Sequence, residues 1–101
     1  MIVDERFNFE VYPNDLDKMN WADAKKACDE LGDGWRLPNR FELLIIHHNR
    51  INIGGFDNGF YWSSIEVGIN NQIWTQNFTT GSQHFRGEYY TFNVRPVRNL
   101  N

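Results

Sequence analysis

Two proline-bracketed segments constrain this chain more than anything else in it: Gly34-Trp35-Arg36-Leu37-Pro38, and far downstream Val94-Arg95-Pro96-Val97-Arg98. Pro38 disfavours helical geometry at Leu37, so the first segment must be extended there. A strand through the second must place Pro96 where no ladder donor is required. Each segment also holds an arginine among bulky apolar neighbours. Arginine recognises carboxylates and phosphates well, but in such a setting a buried fork tying a loop to a helix or strand is the stronger reading. Trp35, Arg36, Pro38, Arg95 and Pro96 are therefore expected to be scaffold, as is Trp62 in the intervening Tyr61-Trp62-Ser63-Ser64.

The pattern between these anchors alternates strand and helix. Phe7, Phe9 and Val11 alternate with Asn8, Glu10 and Tyr12, which predicts a half-buried strand ended by Pro13-Asn14-Asp15. Asn20 predicts a helix cap, with Trp21, Ala24, Cys28 and Leu31 on one face and Gly32 in the left-handed position after the last turn. Asn39 with Glu42 predicts a capping box for a second helix, whose apolar face is read as Phe41, Leu44, Ile45 and His48, widened by Leu43 and Ile46. From Asn49 onward Gly54-Gly55 and Asn58-Gly59 mark loops. Short strands follow at Tyr61–Ser64, Ile73–Thr79 and Gln83–Arg86, with Thr80-Gly81-Ser82 between the last two, and a final strand at about Tyr90–Arg98.

A helix with an Ala/Cys/Leu face, Gly-Trp-Arg-Leu-Pro, a second helix, Tyr-Trp-Ser-Ser and Val-Arg-Pro-Val-Arg, in that order from about Leu16 to Arg98, resembles the Lcl C-terminal or Fibrobacter-major-paralogue family of bacterial C-type-lectin-like domains. These are relatives of variable receptor-binding proteins diversified by retroelements. The order of elements by itself is α+β. The resemblance implies a C-type-lectin-like fold, with two helices packed on a small antiparallel sheet, paired N- and C-terminal strands and a long loop region. It also implies binding rather than catalysis.

At 101 residues the chain reads as one domain, 1–101, burying roughly two thirds of its unfolded surface. Net charge is −3, with nine acids and four bases in residues 1–34 but four acids and six bases thereafter. The six later arginines are scattered, so no basic run exists to displace counterions, which argues against nucleic-acid binding. The N-terminus has neither the positive start nor the apolar run of a signal peptide, and no stretch is long and apolar enough for a membrane span. A cytoplasmic or virion-associated protein is the simplest expectation.

Catalytic and metal-binding patterns are not found. Cys28 is the single cysteine, so no intrachain disulfide or cysteine cluster can form. The formylglycine-generating enzymes, which have a related fold, use a cysteine pair. His47 and His48 point about 100° apart on a helix and cannot easily share a metal, and His84 is distant in sequence. The calcium-binding motifs of this fold, Glu-Pro-Asn or Gln-Pro-Asp followed by Trp-Asn-Asp, do not occur, and Asp57, Glu66 and Glu88 stand singly where calcium needs several oxygen ligands. No cofactor, metal or enzymatic activity is expected. Asn77-Phe78-Thr79 matches a glycosylation acceptor, a pattern with meaning only in a secreted eukaryotic protein.

The remaining candidate is the stretch 65–89, where polar residues surround aromatics: Glu66, Asn70, Asn71, Trp74, Gln76, Asn77, Gln83, His84, Arg86, Glu88 and Tyr89. Asn, Tyr, Trp and Arg are enriched where adaptable hydrogen bonds ring rigid aromatic anchors. In the retroelement-diversified relatives the matching stretch is the varied surface. The expectation is a binding module for a protein or glycan. The alternatives are a phage or bacterial assembly subunit, with a homo-oligomer possible, or a small phage-encoded inhibitor of a host protein.

Overall fold

The computed structural model describes residues 8–68 and 70–100. In chain order the elements are β1 (Phe9–Val11), β2 (Leu16–Met19), α1 (Trp21–Glu30), α2 (Arg40–His48), α3 (Arg50–Ile53), β3 (Phe60–Glu66), β4 (Gln72–Asn77), β5 (Gln83–Gly87), β6 (Phe92–Val94) and β7 (Val97–Asn99). This is the expected α+β, C-type-lectin-like layout. The terminal strands β1 and β7 pair antiparallel, with Phe9 opposite Asn99 and Val11 opposite Val97. Phe7, read as part of the first strand, lies outside the described residues.

The other five strands form a sheet in the order β2-β6-β3-β4-β5. Its neighbours are antiparallel except β3 and β6, which run parallel through Tyr61 and Asn93. Outside the named strands, Arg36 forms an antiparallel bridge to Val97 of β7. Both proline-bracketed segments therefore meet there. Among the described residues, no helix is long and apolar enough to cross a membrane.

Successive residues of a strand point to opposite faces, and β3 uses this to separate two cores. Tyr61 joins Phe9, Val11, Leu43, Ile46, Phe78 and Val97 on the α2 side. Trp62 joins Trp21, Ala24, Cys28, Leu37, Ile73 and Val94 on the α1 side. Pairing carries the division across the sheet. Gln76 lies opposite Tyr61, Thr75 opposite Trp62, and His84 opposite Thr75.

Helix α1 forms as its sequence dictates. The Asn20 side chain accepts from the Asp23 N–H, Trp21, Ala24 and Cys28 are buried, and Gly32 follows with φ 72°. Burial, reinforced by the neighbouring Asp29 charge, pushes the Cys28 thiol up to about 12, so it stays protonated as a small apolar side chain. Leu31, read as part of this face, is only half-buried at the C-cap.

Helix α2 starts with the predicted capping box but turns a different face inward. The Asn39 side chain accepts from the Glu42 N–H at 2.8 Å, and the Glu42 carboxylate accepts from the Asn39 N–H at 2.8 Å. The buried residues are Glu42, Leu43 and Ile46. Phe41 is 64% and Leu44 45% exposed, and His48 is exposed rather than a core histidine. The rotation lets Glu42 pair with Arg36 while Leu43 and Ile46 enter the core beside Tyr61 and Phe78.

Other boundaries also differ from expectation. Leu16–Met19 forms a strand where none was read, because its ladder with β6 is short and irregular and its middle residues are exposed. The stretch after Asn49 holds one helical turn, α3, before the glycine-rich loop. The single strand expected over Tyr90–Arg98 is two strands. Buried Arg95 and Pro96 separate them, and Val94 and Val97 belong to different sheets.

Candidate partner-binding surface

Both arginine motifs are built into the frame. Arg95 is buried, and its donors are matched: Nε donates to Asp15 Oδ1 at 2.7 Å, Nη1 to the Tyr12 and Gly54 carbonyls, and Nη2 to the Gly54 and Gly55 carbonyls. Its guanidinium also lies 4.0 Å from the Phe56 ring centre. Tyr61 completes the node, donating its hydroxyl proton to Asp15 Oδ2 and accepting the Asp57 N–H at 2.7 Å. Burial and the bond to Asp15 hold the Tyr61 phenol well above its ordinary value. Pro96 is buried, and its carbonyl accepts the Tyr12 N–H at 2.8 Å.

Arg36 forms a two-pronged ion pair with Glu42, both bonds 2.8 Å, and reaches Asn99 Oδ1 at 2.6 Å. The Glu42 bond holds the Arg36 guanidinium above its ordinary value despite partial burial. Burial alone would raise the Glu42 carboxyl, but the bonds from Arg36 and the Asn39 N–H outweigh it and lower the group. Trp35 packs edge-on against Tyr12 with Arg98 over its face. Pro38 is buried, and its carbonyl accepts the Ser64 N–H. Trp62 is buried and donates to the Met19 carbonyl at 2.8 Å.

A surface of another kind lies on the α1 side of the sheet, beyond the helix. Phe60, two residues before Trp62, shares its face, and Phe92 packs against both rings at 5.0 and 4.8 Å. The connection from edge strand β5 to β6 must pass β4 and β3, and it brings Tyr90 flat against Phe92, centroids 5.5 Å apart and planes 7° from parallel. His84 meets Phe60 edge-on, and the Arg86 guanidinium lies 5.0 Å from the same ring. Arg86 makes one hydrogen bond, from Nη1 to the Phe85 carbonyl, and has no acidic partner among the described residues. Tyr90 is 58% and Tyr89 78% exposed, and both line a shallow cavity of about 240 Å³ with Gly87.

Of the residues read as partner-binding, His84, Arg86 and Tyr89 come together here, and Glu88 lies alongside with its carbonyl accepting the Trp21 N–H. Phe60, Tyr90 and Phe92 were missed. They flank the 65–89 stretch in sequence; Phe60 meets it across the β3-β4-β5 ladder, and Tyr90 and Phe92 through the β5-to-β6 crossing. Glu66 is exposed at the end of β3. Asn70 and Asn71 take left-handed backbone angles, φ 62° and 52°, in the β3–β4 turn, a conformation that asparagine tolerates better than most residues.

Four of the residues face other work. Gln76 is buried, not exposed: its amide donates to the Gly81 carbonyl at 2.7 Å, and its oxygen accepts from Gln83 at 2.9 Å. Gln83 continues the chain by donating to the Arg40 carbonyl and accepting from Arg40 Nε. Trp74 lies on this same α2 side, half-buried, with the Arg40 guanidinium 3.5 Å above its ring and Phe85 against its edge. Asn77 caps the following turn by accepting the Thr79 N–H. Alternation along β4 correctly groups Trp74, Gln76 and Phe78, but α2 covers that side.

Among the described residues, no three His, Cys, Asp or Glu side chains gather as a metal site. The chain shows no significant match to a curated protein. The Lcl C-terminal domain family matches residues 6–98, a span holding both arginine motifs, both cores and the ring surface, and the chain belongs to that family.

Proposed function

We propose that this chain is a non-enzymatic binding module that engages a protein or glycan partner through the surface formed by Phe60, His84, Arg86, Tyr89, Tyr90 and Phe92. The observation that carries the reading is the combination of stacked, part-exposed rings with an arginine whose donors are mostly open. Rigid rings bury area at little conformational cost, while a guanidinium and an imidazole supply directional polar contacts. Three of its members, His84, Arg86 and Tyr89, fall in the stretch that matches the varied surface of the retroelement-diversified proteins this chain resembles, which supports the same reading by analogy.

The test compares capture of host-lysate proteins and an arrayed glycan set by the native chain and by His84→Ala, Arg86→Ala and Tyr90→Ala, with Lys26→Ala on α1 as a control. Truncating a central aromatic or arginine anchor commonly costs about 2 kcal/mol of binding, roughly a thirtyfold loss. Folded variants that all retain the native affinity would remove this surface from consideration. Capture that collapses with chelator would assign recognition to a metal instead.

A further inference from the structure

On the opposite side of the sheet, α2 and α3 present an apolar line outward. Phe41, Leu44, His48 and Ile51 follow at helical spacing, and the three apolar members are 64, 45 and 86% exposed. The helical path is nearly continuous through Asn49, whose N–H donates to the Ile45 and Ile46 carbonyls and whose own carbonyl accepts from Ile53. Leu43 and Ile46 satisfy the core from the other side of α2, so the fold does not use this line. Large apolar residues aligned on one exposed helical face mark an interaction surface. At its end lies a cavity of about 270 Å³, lined by Arg50, Ile51, Phe56, Phe78 and the Gly54-Gly55 loop, with Asp57 at its edge. It offers a place for one anchoring side chain.

Charge selects the occupant. Residues 40–53 carry two standing positive charges, Arg40 and Arg50, against one acid, Glu42, which is buried and committed to Arg36. Asp57 at the cavity pairs with Lys18 at 3.7 Å. A second copy docking through the same face would set these bases against each other. The acidic outer face of α1, with Asp23, Asp29 and Glu30 exposed, has no large exposed apolar side chain to fill the line. We infer that the α2–α3 face is a second docking surface, separate from the proposed ring surface, for an acidic amphipathic helical segment of a partner protein.

The probe is a fluorescein-labelled synthetic helix with leucines at i, i+3, i+4 and i+7 and glutamates elsewhere, alongside a counterpart with lysine for every glutamate. Fluorescence anisotropy on the full chain should show saturable binding of the acidic helix, weakened by salt. Phe41→Ser, Ile51→Ser and Arg50→Glu should each weaken it about tenfold, with circular dichroism unchanged because all three positions are exposed. Arg86→Ala should leave it unchanged, which separates this surface from the ring surface. Equal binding of the lysine helix, or no saturable binding of the acidic one, overturns the inference. So does a concentration-dependent dimer, or adsorption to phosphatidylglycerol vesicles, that Phe41→Ser abolishes, since either would give the face a different occupant.

Discussion

Arg95 and Arg86 sit on the same fold beside aromatic rings, and they do opposite things. Arg95 is enclosed, stacked on Phe56, and spends its donors on one carboxylate and the carbonyls of Tyr12, Gly54 and Gly55. Arg86 rests beside Phe60 with one carbonyl bond and no carboxylate among the described residues. A buried guanidinium is tolerable only when its protons are accepted, so Arg95 is held in one place by two loops, 12–15 and 54–56. An exposed one needs no such partners, because water fills them until something else does. The satisfied arginine holds loops together, and the open one is the one we propose meets a partner. Arg36 falls between them, paired to Glu42 but over a third exposed.

The contrast predicts a graded series of effects. Arg95→Ala leaves Asp15 charged and half-buried and orphans several carbonyls, and should cost about 3 to 5 kcal/mol. Against a total of about 5 to 10 kcal/mol this would be visible as loss of a cooperative urea transition at physiological temperature. Asp15→Asn, which keeps the shape, should cost less but still lower the midpoint; a native midpoint in both variants would break the distinction. Arg36→Ala should cost about 2 kcal/mol, less than a fully enclosed pair because solvent screens it, as measured by chemical denaturation.

Acid should act on the α2 side of the same comparison. Burial, with the nearby Arg50 charge, holds the His47 imidazole below its ordinary 6.5, although its bond to the Phe78 carbonyl opposes the shift. Stability from this group is complete above 6.5 and is lost as pH falls through the lower folded value. The lowered Glu42 carboxyl contributes in full above 4.5 and loses its share as pH drops through its own folded value. Melting temperature should therefore decline in two stages on acidification, the first removed by His47→Gln and the second by Glu42→Gln. The smallest effect on folding belongs to the surface: Arg86→Ala and Tyr90→Ala should shift stability by no more than about 0.5 kcal/mol. A large loss of stability in either would return that residue to the frame.

Sequence alone determined the features whose cause is local. The Asn20 cap, the Asn39–Glu42 box and the Gly32 terminus each depend on groups a few positions apart, so their geometry is written in the chain. Two apolar runs share α2, and periodicity cannot rank them. Arg36, outside the helix and six residues before Glu42, pairs with it on the side that is buried. In β4, alternation separates Trp74, Gln76 and Phe78 from Ile73, Thr75 and Asn77, but only the packing of a helix on each side decides that both sides are covered, with polar Gln76 buried under α2 and Ile73 and Thr75 buried on the other side. Phe60, Tyr90 and Phe92 become one surface because β5 must cross two strands to reach β6, a long-range constraint that no window of residues contains.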